Sequence, residues 1–99
     1  MVTETVTESV LMAVKKHFPE GHYRLFYFGS RVDGTATSRS DIDIGIEADH
    51  EIPLETIVKI EEELEEIPIL QMIDFVDFIR VSKDFSDEAK KNIELIYEQ

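Results

Sequence analysis

Residues 41–47, Asp-Ile-Asp-Ile-Gly-Ile-Glu, alternate isoleucine with polar or small side chains more strictly than any other part of the chain. Period-two alternation marks a strand that buries one face. Ile42, Ile44 and Ile46 then face a core. Asp41 and Asp43 open the strand on its other face, with Cα atoms about 6.8 Å apart. Two carboxylates that close repel one another. The segment commits the chain to a layered fold, in which a sheet and helices cover the isoleucines and leave a charged site where the strand starts.

The rest of the chain supplies those layers. With 99 residues it reads as a single domain over 1–99. Val6, Val10, Ala13, Val14 and His17 fall at helical spacing over 4–18, widened by Leu11 and Phe18, with Thr3 as a candidate N-cap and Pro19-Glu20-Gly21 as the stop. His22 to Phe28 reads as a strand apolar on both faces, hence inside the sheet. A loop from Gly29 to Ser40 follows, with a short helix around Arg31 to Gly34. Pro53 suits the start of a helix marked by Leu54, Ile57, Ile60, Leu64 and Ile67, with the acidic run Glu61 to Glu66 as a solvated face. Ile69 to Arg80 reads as a third strand. Ser86 is placed to cap a last helix that buries Ala89, Ile93 and Ile96. A helical crossover favours parallel pairing of the second and third strands, and a shared site favours antiparallel pairing of the first two. The expected fold is α/β, a small mixed sheet of about three strands packed with helices.

Composition removes several chemistries. There is no cysteine, which excludes disulfides, thiolate zinc sites and cysteine nucleophiles. His17, His22 and His50 show no metal-ligand spacing. No apolar run approaches the roughly 18 residues of a membrane span, and the N-terminus has no signal-peptide pattern. The expectation is a cytoplasmic protein without membrane contact. The net charge of −12 argues against direct nucleic-acid binding and favours a basic protein partner or divalent cations.

Gly29 and Ser30 lie where the first strand ends, and ten residues separate them from Asp41. Gly29 permits close backbone approach, and Ser30 offers a hydroxyl and an amide, so the turn suits phosphate. Hard cations such as magnesium join carboxylates to substrate phosphates. Arg31 and Arg39 sit on the same loop and can reach phosphates, although loop arginines are commonly solvated. No base is implied beside Ser30, so it is not read as a nucleophile. A third carboxylate must come from Asp74 or Asp77. They are three apart on a strand and face opposite sides, so only one joins the site.

Gly29-Ser30, ten residues, then Asp41-Ile42-Asp43-Ile44 resembles the DNA polymerase β-like nucleotidyltransferase superfamily. The short chain is most similar to its minimal nucleotidyltransferase (MNT) family. The resemblance implies the polymerase β-like nucleotidyltransferase fold and transfer of a nucleoside monophosphate from ATP or another NTP with two Mg2+ ions. It implies that Asp41, Asp43 and Asp74 hold the metals, that Asp74 assists deprotonation of an acceptor hydroxyl, and that Gly29 and Ser30 bind phosphates. Asp74 also stands nearer the start of its strand, as a parallel partner requires; Asp77 is then expected at an edge or surface. MNT proteins typically pair with a HEPN-domain toxin, so the resemblance implies an antitoxin that adenylylates a tyrosine of that partner. Two other readings stand beside it: a catalytically silent module that masks the partner, and nucleotidyl transfer to a small molecule. Homo- and hetero-oligomers are both compatible with the sequence.

Overall fold

The structure is a computed structural model that describes residues 4–37 and 40–99. Thr3 and Arg39 lie outside the described residues. The period-two segment forms β2, Ile42–Ala48, and the aromatic segment before the loop forms β1, Tyr23–Phe28. They pair antiparallel, with Phe28 opposite Asp43. Between them Ser30–Asp33 make one short helix, α2. β3, Ile73–Asp77, runs parallel to β2 with Asp43 in register with Asp74. The mixed sheet therefore has the two pairings expected, one from the helical crossover and one from the shared site.

The isoleucines, with Tyr23, Leu25, Tyr27 and Phe75, form the larger core. α1, Glu4–His17, buries Val6, Val10, Ala13 and Val14 in it, and α3, Leu54–Glu65, buries Ile57, Ile60 and Leu64. Their solvated rims are tied together by Glu63, which meets Lys16 Nζ at 2.6 Å and His17 Nε2 at 2.9 Å. His17 is thus a boundary histidine with a carboxylate partner. Inside, the Thr7 hydroxyl and the Tyr27 hydroxyl share a 2.6 Å hydrogen bond. The opposite sheet face carries a smaller cluster of Phe26, Phe28 and Phe78. None of the described helices is long and apolar enough to cross a membrane.

The C-terminal third departs from the sequence reading. The last helix, α4, spans Lys83–Ala89, and its N-cap is Ser82, whose side chain accepts from the Phe85 amide, rather than Ser86. A fourth strand, β4, follows at Glu94–Glu98. Ile93 and Ile96 therefore do not belong to a helical stripe. The sheet order is β3-β2-β1-β4, four strands rather than three. β4 pairs antiparallel with β1 through a bulge: Leu25 faces Tyr97 and Phe26 faces Leu95, so Ile96 is the extra residue. The third strand is also shorter than the apolar run that suggested it. Leu70, inside that run, is fully exposed.

Candidate active site

Strand parity puts Asp43, Gly45 and Glu47 of β2 on the face opposite the isoleucine core, and Asp74 of β3 on the same face. In-register neighbours in a sheet lie about 4.8 Å apart, so Asp43 and Asp74 form a lateral pair. Asp41 precedes the strand and is exposed; Asp43 is half-buried and Asp74 is exposed. The Asp43 carboxyl is pushed above the ordinary aspartate range, first by burial, then by the charges of Asp74 and Asp41, with Arg31 opposing. That pattern shows the three aspartates and Arg31 to be electrostatic neighbours.

The Gly29 turn meets this face from the β1 side. Gly29 has φ 76° and ψ −149°, a region open essentially to glycine alone. A Cβ there would stand 2.3 Å from Asp43 Oδ2. The carboxylate therefore lies against bare backbone, in space that any side chain would fill. Deeper in the sheet, a Cβ on Gly45 would stand 2.6 Å from ring atoms of both Phe26 and Phe78, so the smaller aromatic cluster packs directly below the aspartates.

Ser30 opens α2, and its carbonyl accepts from the amides of Gly34, Thr35 and Ala36. The Gly29 carbonyl accepts from Val32 and Asp33. The Ser30 hydroxyl has no hydrogen-bond partner among the described residues and remains able to contact a ligand. Arg31 donates from Nη2 to the Ser40 carbonyl at 2.7 Å, pinning the two ends of the loop together beside Asp43. Its Nε is buried without a protein acceptor among the described residues.

Asp77 lies on the edge strand β3, as expected, but is buried there rather than at the surface. It is 8% exposed, accepts from the Ile79 amide at 3.1 Å, and is held by Arg80, which also reaches Glu51 at 2.9 Å. Its burial follows from parity: it shares the core-facing side with Phe75, and the ion pair compensates its charge. One further carboxylate belongs to the field of the site. The Glu61 carboxyl is raised by burial, by Asp74 and by Glu65. In the sequence it reads as part of a solvated acidic face, because its proximity to Asp74 depends on the packing of α3 beside β3.

The donor set is all oxygen, which suits a hard divalent cation such as magnesium. Among the described residues no three carboxylates or histidines converge on one point. The fit is therefore to a cation that takes one or two carboxylates and completes its shell with water and substrate phosphates, the usual habit of magnesium. Asp43, held against Gly29 and crowded by two like charges, is the centre of that set.

The family described as "Polymerase beta, Nucleotidyltransferase" matches residues 22–99. No curated protein matches the chain by sequence. Solved structures do match by fold. A chain of a crystallised toxin–antitoxin with AMP-PNP superposes with TM-score 0.75 at 18% identity, covering 94% of this chain and 73% of the other. A chain of the tri-AMPylated Shewanella oneidensis HEPN toxin in complex with MNT antitoxin gives TM-score 0.72 at 16% identity, covering 97% and 72%. The toxin–antitoxin MntA-HepT gives 0.65 at 14%, covering 98% and 74%.

Proposed function

This chain belongs to the polymerase β nucleotidyltransferase family, and from that premise we propose that it transfers AMP from ATP to a hydroxyl of a HEPN-domain protein, with magnesium, as the antitoxin of a toxin–antitoxin pair. The observation that carries the proposal is the lateral pair Asp43 and Asp74, with Gly29 backbone pressed against Asp43. The pair offers cation ligands, and the turn places a phosphate-binding backbone beside them. The AMPylated HEPN toxin among the structural neighbours supports the choice of donor and acceptor.

The residues have separable tasks in this reading. Asp41, Asp43 and Asp74 would hold two magnesium ions, which supply charge neutralisation for the triphosphate and activation of the attacking oxygen. Gly29 and the Ser30 hydroxyl receive phosphate oxygens. Arg31 fixes the loop through Ser40 and sets a permanent positive charge by Asp43. Asp74, on the edge strand β3, would take part in removing the proton of an acceptor hydroxyl. Most of the rate would come from positioning and charge stabilisation, as in phosphoryl transfer generally. The net charge of −12 suits docking on a basic partner.

The test is intact mass spectrometry of a HEPN-domain partner incubated with this chain, ATP and magnesium. The expected result is a partner heavier by one or more AMP groups, and no modification with Asp43→Asn. An unmodified partner whose toxicity is still neutralised by the Asp43→Asn chain would replace the enzyme with a masking module.

A further inference from the structure

Between α3 and β3 runs a groove of about 230 Å³. Val58, Leu64, Ile73 and Phe75 give it an apolar lining, and Glu61, Glu62 and Glu65 add carboxylates to it. We infer that this groove is the docking site of the protein that supplies the acceptor hydroxyl, and that it takes a basic segment: an apolar side chain against Leu64 and Phe75, with lysine or arginine side chains against the three glutamates. The inference rests on the nucleotidyltransferase reading of Asp74 and names where the partner sits.

The groove is placed to present a partner to Asp74. Ile73 and Phe75 flank Asp74 on β3, and successive strand residues point to opposite faces. The groove therefore lies behind the strand whose front carries Asp74. β3 ends the sheet, so a single strand separates the two. The Glu61 carboxyl, raised first by burial and then by the charge of Asp74, stands within the field of that aspartate. A partner seated in the groove has only the edge of β3 to pass before its hydroxyl reaches Asp74.

Charge selects the occupant. The carboxylates of α3 are divided between two tasks. Glu63 is engaged by Lys16 and His17 of α1. Glu61, Glu62 and Glu65 pair with no cation among the described residues. Glu61 and Glu65 are four apart on the helix and repel one another, and cations from a partner relieve that repulsion. The same carboxylates repel RNA, and a second copy of this chain, at net charge −12, brings mainly like charge. The apolar side of the groove is open: Val58 is 49% exposed, and Leu54, one turn earlier, is 63% exposed. The volume is below the ~300 Å³ at which pockets for whole small ligands begin, so the groove admits side chains rather than a nucleotide.

AMP transfer to a HEPN-domain partner, followed by intact mass over a range of partner concentrations, tests this. Glu62→Lys with Glu65→Lys is expected to raise KM for the partner about 10- to 100-fold, as like charges brought together at an interface do, and to leave kcat unchanged. Glu62→Gln with Glu65→Gln removes the charge without reversing it and guards against a folding defect; KM should rise in the same direction, by less. Glu8→Lys with Glu20→Lys makes the same change of net charge at exposed residues elsewhere and should leave KM near wild type. A KM indifferent to both groove variants, or raised equally by the control, overturns the docking site while leaving the transferase reading intact. Partner binding in calorimetry that depends on Glu62 and Glu65, without AMP transfer, supports the docking site and removes the transferase reading. Self-association of the wild type that Glu62→Lys with Glu65→Lys abolishes assigns the groove to a second copy and overturns the inference.

Discussion

Replacing Gly29 by alanine perturbs the site at the point where backbone and carboxylate touch. The φ and ψ of 76° and −149° cost a non-glycine residue about 1–3 kcal/mol. The new Cβ would stand 2.3 Å from Asp43 Oδ2 and 3.2 Å from Cγ, so the carboxylate must turn away, and overpacking of this kind adds about 1–3 kcal/mol. Because half-buried Asp43 relaxes part of that clash toward solvent, the sum is taken as about 2–4 kcal/mol. In a domain of this size that lowers Tm by about 10–30 °C. Gly34→Ala is the matched control. Gly34 has φ 88° and ψ 6°, and nothing lies within 4 Å of its added Cβ, so it carries left-handed strain alone, about 1–2 kcal/mol. Urea unfolding measures the stability difference, and AMP transfer per folded molecule measures the displacement of Asp43. About 100-fold is the scale of loss for a reacting group misplaced by an ångström. Gly29→Ala should lose transfer on that scale and Gly34→Ala should keep it. Equal destabilisation by the two variants, or a Gly29→Ala enzyme with wild-type transfer, refutes the contact between the turn and Asp43.

Asp74 and Asp77 should dissociate function from stability. Asp74→Asn alters an exposed side chain and should change stability by no more than about 0.5 kcal/mol while removing transfer. Asp77→Asn leaves Arg80 without its buried partner and should cost about 1–3 kcal/mol in urea unfolding, with transfer per folded molecule retained. Glu47 should give stability a pH dependence. Burial raises its pKa, but hydrogen bonds and charges from Lys90 at 2.6 Å and Arg24 at 2.9 Å outweigh that and hold the carboxyl below its usual range. A depressed carboxyl stabilises the fold above its unfolded pKa, about 4.3, and that contribution is lost as pH falls through the folded value. Glu47→Gln should therefore cost about 1 kcal/mol at neutral pH and converge with wild type in acid, read by thermal melts across pH.

Legibility followed the strength of local patterns. The isoleucine alternation of β2 located the core face and the aspartate face together, because burial of one face fixes the other. The turn at Gly29 was legible because few residues other than glycine take its conformation. The helical crossover pointed to the parallel pairing of β2 with β3, and the shared site to its antiparallel pairing with β1. What stayed hidden depended on contacts distant in sequence. Ala89, Ile93 and Ile96 mimic a helical stripe, yet Ile96 is the extra residue of a bulge, which erases the alternation that would have marked β4. Asp77 looks like a surface carboxylate until Arg80 and the core side of β3 are in place. Glu61 looks like one more solvated carboxylate of α3 until packing brings it within the field of Asp74.

In the proposed function the aspartates around Asp43 bind divalent cations together with a triphosphate at the Gly29 turn. Electron paramagnetic resonance of Mn2+ titrated into the protein with a non-hydrolysable ATP analogue measures this directly. Tight, nucleotide-dependent binding of Mn2+ is expected, lost in Asp43→Asn and kept in Asp77→Asn. Mn2+ binding that is indifferent to Asp43, or that survives without nucleotide at the same affinity, would contradict it.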